Sequence, residues 1–160
     1  MNLSTTIIGL AVLALFAIPV FLIAKSAKKK IEKLKSSLTD EAKKTGVTIA
    51  DTDYWNDSIL GIDDREETVI YIDGSHSERE ISTFNMRDVK SVRFFPDITK
   101  NPNPDYKKEP KLGISFFFKE TAKSEVNVMF FMAGFGDLSK HEQGLFEKWT
   151  GKIKKIRSAV

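Results

Sequence analysis

The sequence predicts an α+β protein: an N-terminal transmembrane helix and stalk, then an antiparallel β-barrel or sandwich of about seven strands capped by a C-terminal helix. Three observations predict it. Residues 7–24, IIGLAVLALFAIPVFLIA, form a run of 18 residues without a charge. Seven short segments rich in β-branched and aromatic residues follow between residues 47 and 132. Leu138, Leu145, Phe146, Trp149, Ile153 and Ile156 then recur at helical spacing.

The apolar run comes first. At about 1.5 Å per residue, a helix of that length spans roughly 27 Å, close to the ~30 Å hydrocarbon core. Pro19 lies inside the run, and membrane helices tolerate such a proline. A cleaved export signal is the main competitor. It wants a basic start, a shorter apolar stretch and a small-residue cut site, whereas MNLSTT is uncharged and the lysines follow the run. Lysines beside a span favour the cytoplasmic side. The expectation is therefore a single-pass protein of the cell (inner) membrane, with its N-terminus outside and its C-terminal domain cytoplasmic.

The expected organisation is an anchor over residues 1–24, a basic juxtamembrane helix over 25–46 and a domain over 47–160. Lys25, Lys28, Lys29, Lys30, Lys33 and Lys35 are the candidate membrane-surface residues, able to lie against anionic headgroups. A nucleic-acid-binding arm would need stacking aromatics among the basic residues, and residues 25–35 have none. Ala27, Ile31, Leu34, Leu38 and Ala42 make a short apolar stripe, which suits a dimer seam, a contact with the domain or a solvated stalk. No G-x-x-x-G marks the span as self-associating. Gly46 suits the C-cap.

The candidate strands are Val47–Ala50, Ser58–Ile62, Thr68–Asp73, Arg79–Phe84, Val89–Phe95, Leu112–Phe118 and Val126–Met132. Asp73-Gly74 marks a hairpin turn. Residues 96–110, PDITKNPNPDYKKEP, hold four of the five prolines and read as a long loop. Lys100, Tyr106, Lys107 and Lys108 are its candidate partner-contact residues, an amphipathic aromatic among cations on an otherwise acidic domain. In the C-terminal helix, Ser139 and Glu142 have capping-box spacing, and Trp149 is the candidate wedge into the core.

Charge is unevenly placed. The net +3 divides into +5 over residues 25–45, +4 over 147–157 and −6 over 46–146, where 12 basic residues face 18 acidic ones. There are no cysteines, which excludes disulfides, a thiolate metal site and a cysteine nucleophile. Asp51 and Asp53 open like a calcium loop, but Trp55, Asn56 and Ile62 stand where that loop needs a ligand, a glycine and a glutamate. His76 and His141 are far apart in sequence, and no phosphate loop, dinucleotide fingerprint or G-x-S-x-G motif is present.

The order of seven strands and one terminal amphipathic helix resembles the pleckstrin-homology-like fold. SILGIDDREETVIYID followed by ISTFNMRDVKSVRF, with Asp88, Val89 and Val92 in a D-V-x-x-V strand, is similar to membrane-tethered bacterial members. The resemblance implies a binding or scaffolding module, no catalysis and no cofactor. Lipid-binding members use a basic loop between early strands, whereas GIDDREETV sets Asp63, Asp64, Glu66 and Glu67 against Arg65 alone. Headgroup binding by that route is disfavoured. The expectation is a membrane-anchored binding or scaffold domain, an accessory subunit of a membrane protein complex. Its partners would be the lipid bilayer and an integral or peripheral membrane protein, with no nucleic acid. The alternatives are a peripheral regulator sensing an anionic membrane surface through its basic helices, and an enzyme with an unrecognised site.

Overall fold

The computed structural model describes residues 3–75, 78–95, 111–119, 125–132 and 138–159. One helix, α1 (Leu3–Thr45), leads into strands β1 (Asp51–Trp55), β2 (Ser58–Asp63), β3 (Thr68–Asp73) and β4 (Glu80–Asn85). A single 3-10 turn (Met86–Asp88) connects to β5 (Val89–Phe95), β6 (Lys111–Phe118) and β7 (Glu125–Met132), and α2 (Lys140–Ala159) ends the fold. All pairings are antiparallel. They build a four-stranded sheet ordered β1-β2-β3-β4 and a three-stranded sheet ordered β5-β6-β7.

Two features of this architecture correct the sequence reading. The sheets are separate, and among the described residues there is no closed barrel. Between β4 and β5 the 3-10 turn interrupts the extended chain and drops Met86 into the core, so the ladder restarts in a second sheet. The second correction concerns the N-terminus. Among the described residues no helix is long and apolar enough to cross a membrane. The transmembrane anchor, the single-pass topology and the inner-membrane localisation with a cytoplasmic domain are overturned by that finding. The run over residues 7–24 and the lysine-rich segment after it form one 43-residue helix, continuous as the sequence leads one to expect, and its C-terminal part is built into the β-domain.

That docking follows from the composition of the central strands. In β2 every residue is buried, and in β3 the middle four are. A strand alternates its side chains between faces, so a strand buried throughout must be covered on both. On one face, Leu60, Ile62, Val69 and Tyr71 enter the main core between the two sheets. On the other, Ile59, Ile70 and Ile72 pack under Leu34, Leu38 and Ala42 of α1, with Val47 and Ile49 alongside. The register places Ile59 opposite Ile72 and Gly61 opposite Ile70. Gly61 makes the fit possible: a Cβ there would lie 3.1 Å from both Leu38 methyl carbons and 3.2 Å from Ile49 Cγ2. Helix α1 stops where a Schellman cap turns the chain toward β1. Gly46, at φ 72°, donates to the Lys43 carbonyl and Val47 to that of Ala42.

The main core is aromatic. Trp55 stacks on Phe130 at 4.4 Å, Phe84 meets Phe116 at 4.9 Å, and Phe146 of α2 sets its edge to Phe130 at 6.0 Å. Trp149 is wholly buried among them, with Leu145 and Ile153 a turn to either side. Helix α2 starts at the box read from the sequence: Glu142 N donates to Ser139 Oγ at 3.2 Å and Ser139 N to Glu142 Oε2 at 2.9 Å. β1 lies at Asp51–Trp55 rather than Val47–Ala50, whose Val47 and Ile49 instead line the α1 side of the sheet.

If α1 rests on β2 as described, Gly61→Val will drive branched carbons into Leu38 and Ile49. We expect a loss of about 1–3 kcal/mol in urea unfolding, the usual size of overpacking. Gly61→Ala should cost less, because the Leu38 methyls can shift by a few tenths of an ångström. Leu38→Ala should recover part of the valine variant's loss. Valine tolerated as well as alanine would show that the helix does not press on the strand.

Candidate interaction surface on helix α1

The buried stripe of α1 fixes how the whole helix is turned. Leu34, Leu38 and Ala42 recur every fourth residue against the sheet. At 3.6 residues per turn, Lys25, Lys29 and Lys33 form a second stripe roughly half a turn away, pointing from the domain. Side-chain contacts on both flanks hold this orientation. On the β4 side, Arg79 Nη1 donates to Ser37 Oγ at 2.6 Å and Thr83 Oγ1 to Glu41 Oε1 at 3.2 Å. On the β1 side, Lys35 Nζ stands 5.5 Å from the centre of the Tyr54 ring. Nearer the N-terminus, Lys30 pairs with Asp57 in the β1–β2 turn at 3.3 Å.

The six lysines singled out from the sequence are all exposed, and the structure divides them. Lys30 and Lys35 are engaged with the domain as above. Lys25, Lys28, Lys29 and Lys33 form no ion pair among the described residues. The same outward stripe continues toward the N-terminus as Leu22, Ile18 and Leu15, which are 58%, 57% and 72% exposed, with Phe21 beside them at 69%. The helix is about 65 Å long at 1.5 Å per residue, whereas Leu34 to Ala42 occupies about 12 Å of it. The sheet therefore covers only a short part of α1. Lys100, Tyr106, Lys107 and Lys108 lie outside the described residues, as do His76 and the glycine-rich stretch at 133–137.

Two further polar groupings were candidates for chemistry. A groove of about 240 Å³ beside α1 is lined by Lys35, Thr52, Asp53, Tyr54, Ile59 and His141. Its carboxylate is already committed. Asp53 accepts from Lys148 Nζ at 2.6 Å and from the Trp149 indole N–H at 2.9 Å. Lys148 also holds Asp51 at 2.9 Å, and Lys152 spans Asp51 at 3.2 Å and Asp64 at 3.1 Å. This network ties α2 to β1. Its signal was present in the sequence: carboxylates two apart share one face of a strand, and lysines four apart share one face of a helix. The spacing that fails as a calcium loop is a strand's spacing. Among the described residues no group of three or more His, Asp or Glu side chains is placed to hold a metal ion.

The acidic turn after β2 is also used internally. Asp63 Oδ2 accepts from the Thr48 N–H at 2.7 Å, and Oδ1 accepts from the N–H groups of Arg65 and Glu66 at 2.9 and 3.2 Å. These bonds, the one from Thr48 foremost, hold its carboxyl below the ordinary 3.8. Glu67 pairs with Arg87 at 3.0 Å. Burial pushes the Asp51 carboxyl up, but the hydrogen bonds from Lys148 and Lys152 outweigh it and leave a net lowering. Burial likewise pushes Lys148 down, and Asp53 and Asp51 together raise it above 10.5. Burial carries the Tyr71 hydroxyl up to about 12.

Compared with protein-family models, with curated proteins and with solved structures, the chain has no match. The candidate site therefore rests on its own geometry.

The shifted groups set a pH profile. Asp51 and Asp63 titrate lower in the folded state, so their contribution is present above about pH 4 and is lost as the pH falls through their folded values. Lys148 and Tyr71 titrate higher when folded, so theirs is present below about pH 10 and is lost as the pH rises. The urea midpoint should be level across the neutral range and fall at both ends. Asp51→Asn should make both limbs shallower, because Lys148 loses a partner too. Unchanged limbs in that variant would mean the α2–β1 network does not contribute.

Proposed function

We propose that the chain is a non-catalytic binding module whose β-domain holds helix α1 as a docking element, serving as an accessory subunit of a larger assembly. The observation that supports this reading is the outward face of α1. It carries exposed Leu15, Ile18, Phe21 and Leu22, then lysines without counter-ions among the described residues, while further along the helix Leu34, Leu38 and Ala42 on the opposite face are packed on the sheet. An exposed apolar group next to uncompensated charge is the composition of a contact surface. The carboxylates of the groove and of the β2–β3 turn are spent on internal bonds, which favours binding over acid–base chemistry at those places. The pleckstrin-homology-like resemblance carried by the sequence points the same way, since the use of that family is binding.

Site-specific photo-crosslinking in cells tests it. A crosslinking residue at Leu22 or Lys29 should give abundant adducts, and one at the exposed Arg65 should give few. Equal yields at all three positions would remove the docking role of α1.

A further inference from the structure

We propose that the groove beside α1 binds a small organic monoanion, a carboxylate carried on a flat apolar body as in an aromatic acid. Lys35 and His141 hold the carboxylate, and Tyr54 and Ile59 receive the body. The site is separate from the outward face of α1, so either can fail without the other.

The groove lies where three parts of the fold meet. Lys35 comes from α1, Thr52, Asp53 and Tyr54 from β1, Ile59 from β2 and His141 from the first turn of α2. β1 stands at the edge of its sheet, with β2 as its neighbour. Successive residues of a strand face opposite sides. Tyr54 pairs with Ile59, which faces α1, so Thr52 and Tyr54 lie on the α1 side. Asp53 lies on the other side, where Lys148 of α2 reaches it. A hollow lined from both sides follows the free edge of β1.

The charges decide the sign of the ligand. Asp53 accepts from Lys148 and from the Trp149 indole, so its carboxylate already has a counter-ion. Thr52 Oγ1 donates to the Leu60 carbonyl at 3.0 Å. Lys35 forms no ion pair among the described residues, and its ammonium stands 5.5 Å from the centre of the Tyr54 ring. Among the described residues no hydrogen bond holds the His141 ring or the Tyr54 hydroxyl. The uncommitted groups are an ammonium, an imidazole and a phenol, and no unpaired carboxylate faces them. One permanent cation with two weaker donors matches a single negative charge.

Size and surface narrow the class further. The volume of about 240 Å³ equals roughly eight waters at about 30 Å³ each, which one ring with one acidic group fills. It falls below the ~300–1,000 Å³ usual for larger ligands. A nucleotide is too large for it and brings more charge than one lysine offsets. Among the described residues of the β-domain, Tyr54 and Ile81 are the exposed large hydrophobic side chains, and Tyr54, at 44%, lines this groove. An exposed ring accepts a second ring against it.

The isotope-labelled 160-residue chain should be titrated with benzoate, benzamide and benzamidine, three probes of one shape and different charge, with amide shifts followed by NMR. Benzoate should move the amides of Lys35, Thr52, Tyr54 and His141 in a saturable way. Benzamide should bind about tenfold more weakly, the usual worth of a hydrogen bond to a charged group, and benzamidine should not bind. Acetate, which keeps the charge without the ring, should bind more weakly than benzoate. Lys35→Gln should cost about tenfold in benzoate affinity, and His141→Ala should weaken it as well. Both side chains are exposed, so the melting temperature of either variant should stay nearly level. Lys29→Gln, on the outward stripe, should leave benzoate binding unchanged. Equal affinity for the three probes, no saturable shift with benzoate, shifts confined to residues outside the groove, or full affinity in both groove variants would each overturn the proposal. An equal loss in Lys29→Gln and Lys35→Gln would do so too, because the helix would then attract anions without a site.

Discussion

The four-stranded sheet must be covered on both faces, and the rest of the structure follows from that requirement. β2 and β3 carry isoleucines, a valine and a leucine on successive positions, so one face alone cannot hide them. The second sheet and α2 take one face. Among the described residues the other is covered by Leu34, Leu38 and Ala42 of α1, with Val47 and Ile49 alongside. Fully burying a leucine is worth about 1.5–3 kcal/mol, so two of them with the isoleucines beneath give a contact comparable with a large share of a small domain's net stability. Gly61 is the small residue that lets the helix approach, and the Schellman cap at Gly46 is the turn that brings the chain back to β1. Once the docked face is set, helical geometry sets where Lys25, Lys29 and Lys33 point. A packing constraint in the middle of the sheet thereby determines the direction of the charged surface.

The second cover, α2, is held by two kinds of force. Trp149 and Phe146 fill the open side of the aromatic core. Lys148 and Lys152 then fasten the helix to Asp51, Asp53 and Asp64, and the Trp149 indole donates to Asp53 as well. The lysines are partly exposed, so screening keeps the ionic share small and the burial of Trp149 dominates. The network's larger effect is on register, because it places one turn of α2 beside the alternating carboxylates of β1.

Much of this was legible in the sequence where residue type and spacing agree. The strands around Ile59, Ile70, Val92, Phe116 and Val128 stand out by their β-branched and aromatic content, and the box at Ser139 and Glu142 marks the start of α2. β1 was not legible, because Asp-Thr-Asp has poor strand propensity and its carboxylates take meaning only from lysines ninety-odd residues later. The stripe Leu34, Leu38, Ala42 was visible, but its partner was not, since nothing local tells a sheet-packing stripe from a dimer seam. The largest correction came from the N-terminus. Local hydropathy at residues 7–24 suggests an anchor that continues as a basic helix; the helix does run without a break to Thr45, but no membrane-crossing helix is found among the described residues. Of the two candidate surfaces, the six lysines are placed by the structure and the proline-rich segment with Tyr106 lies outside what it describes.

The central claim is that α1 is part of the β-domain over Leu34–Ala42 and leaves it toward the N-terminus. Amide hydrogen exchange along α1 tests this most directly. The account predicts that amides from Leu34 to Ala42 are protected to the same degree as those of β2 and β3, because opening them requires opening the shared core. Amides before Lys30 should exchange faster, as a helix without tertiary cover does. Uniformly fast exchange along α1, with β2 and β3 still protected, would contradict the account, because the sheet would then be stable without its helix.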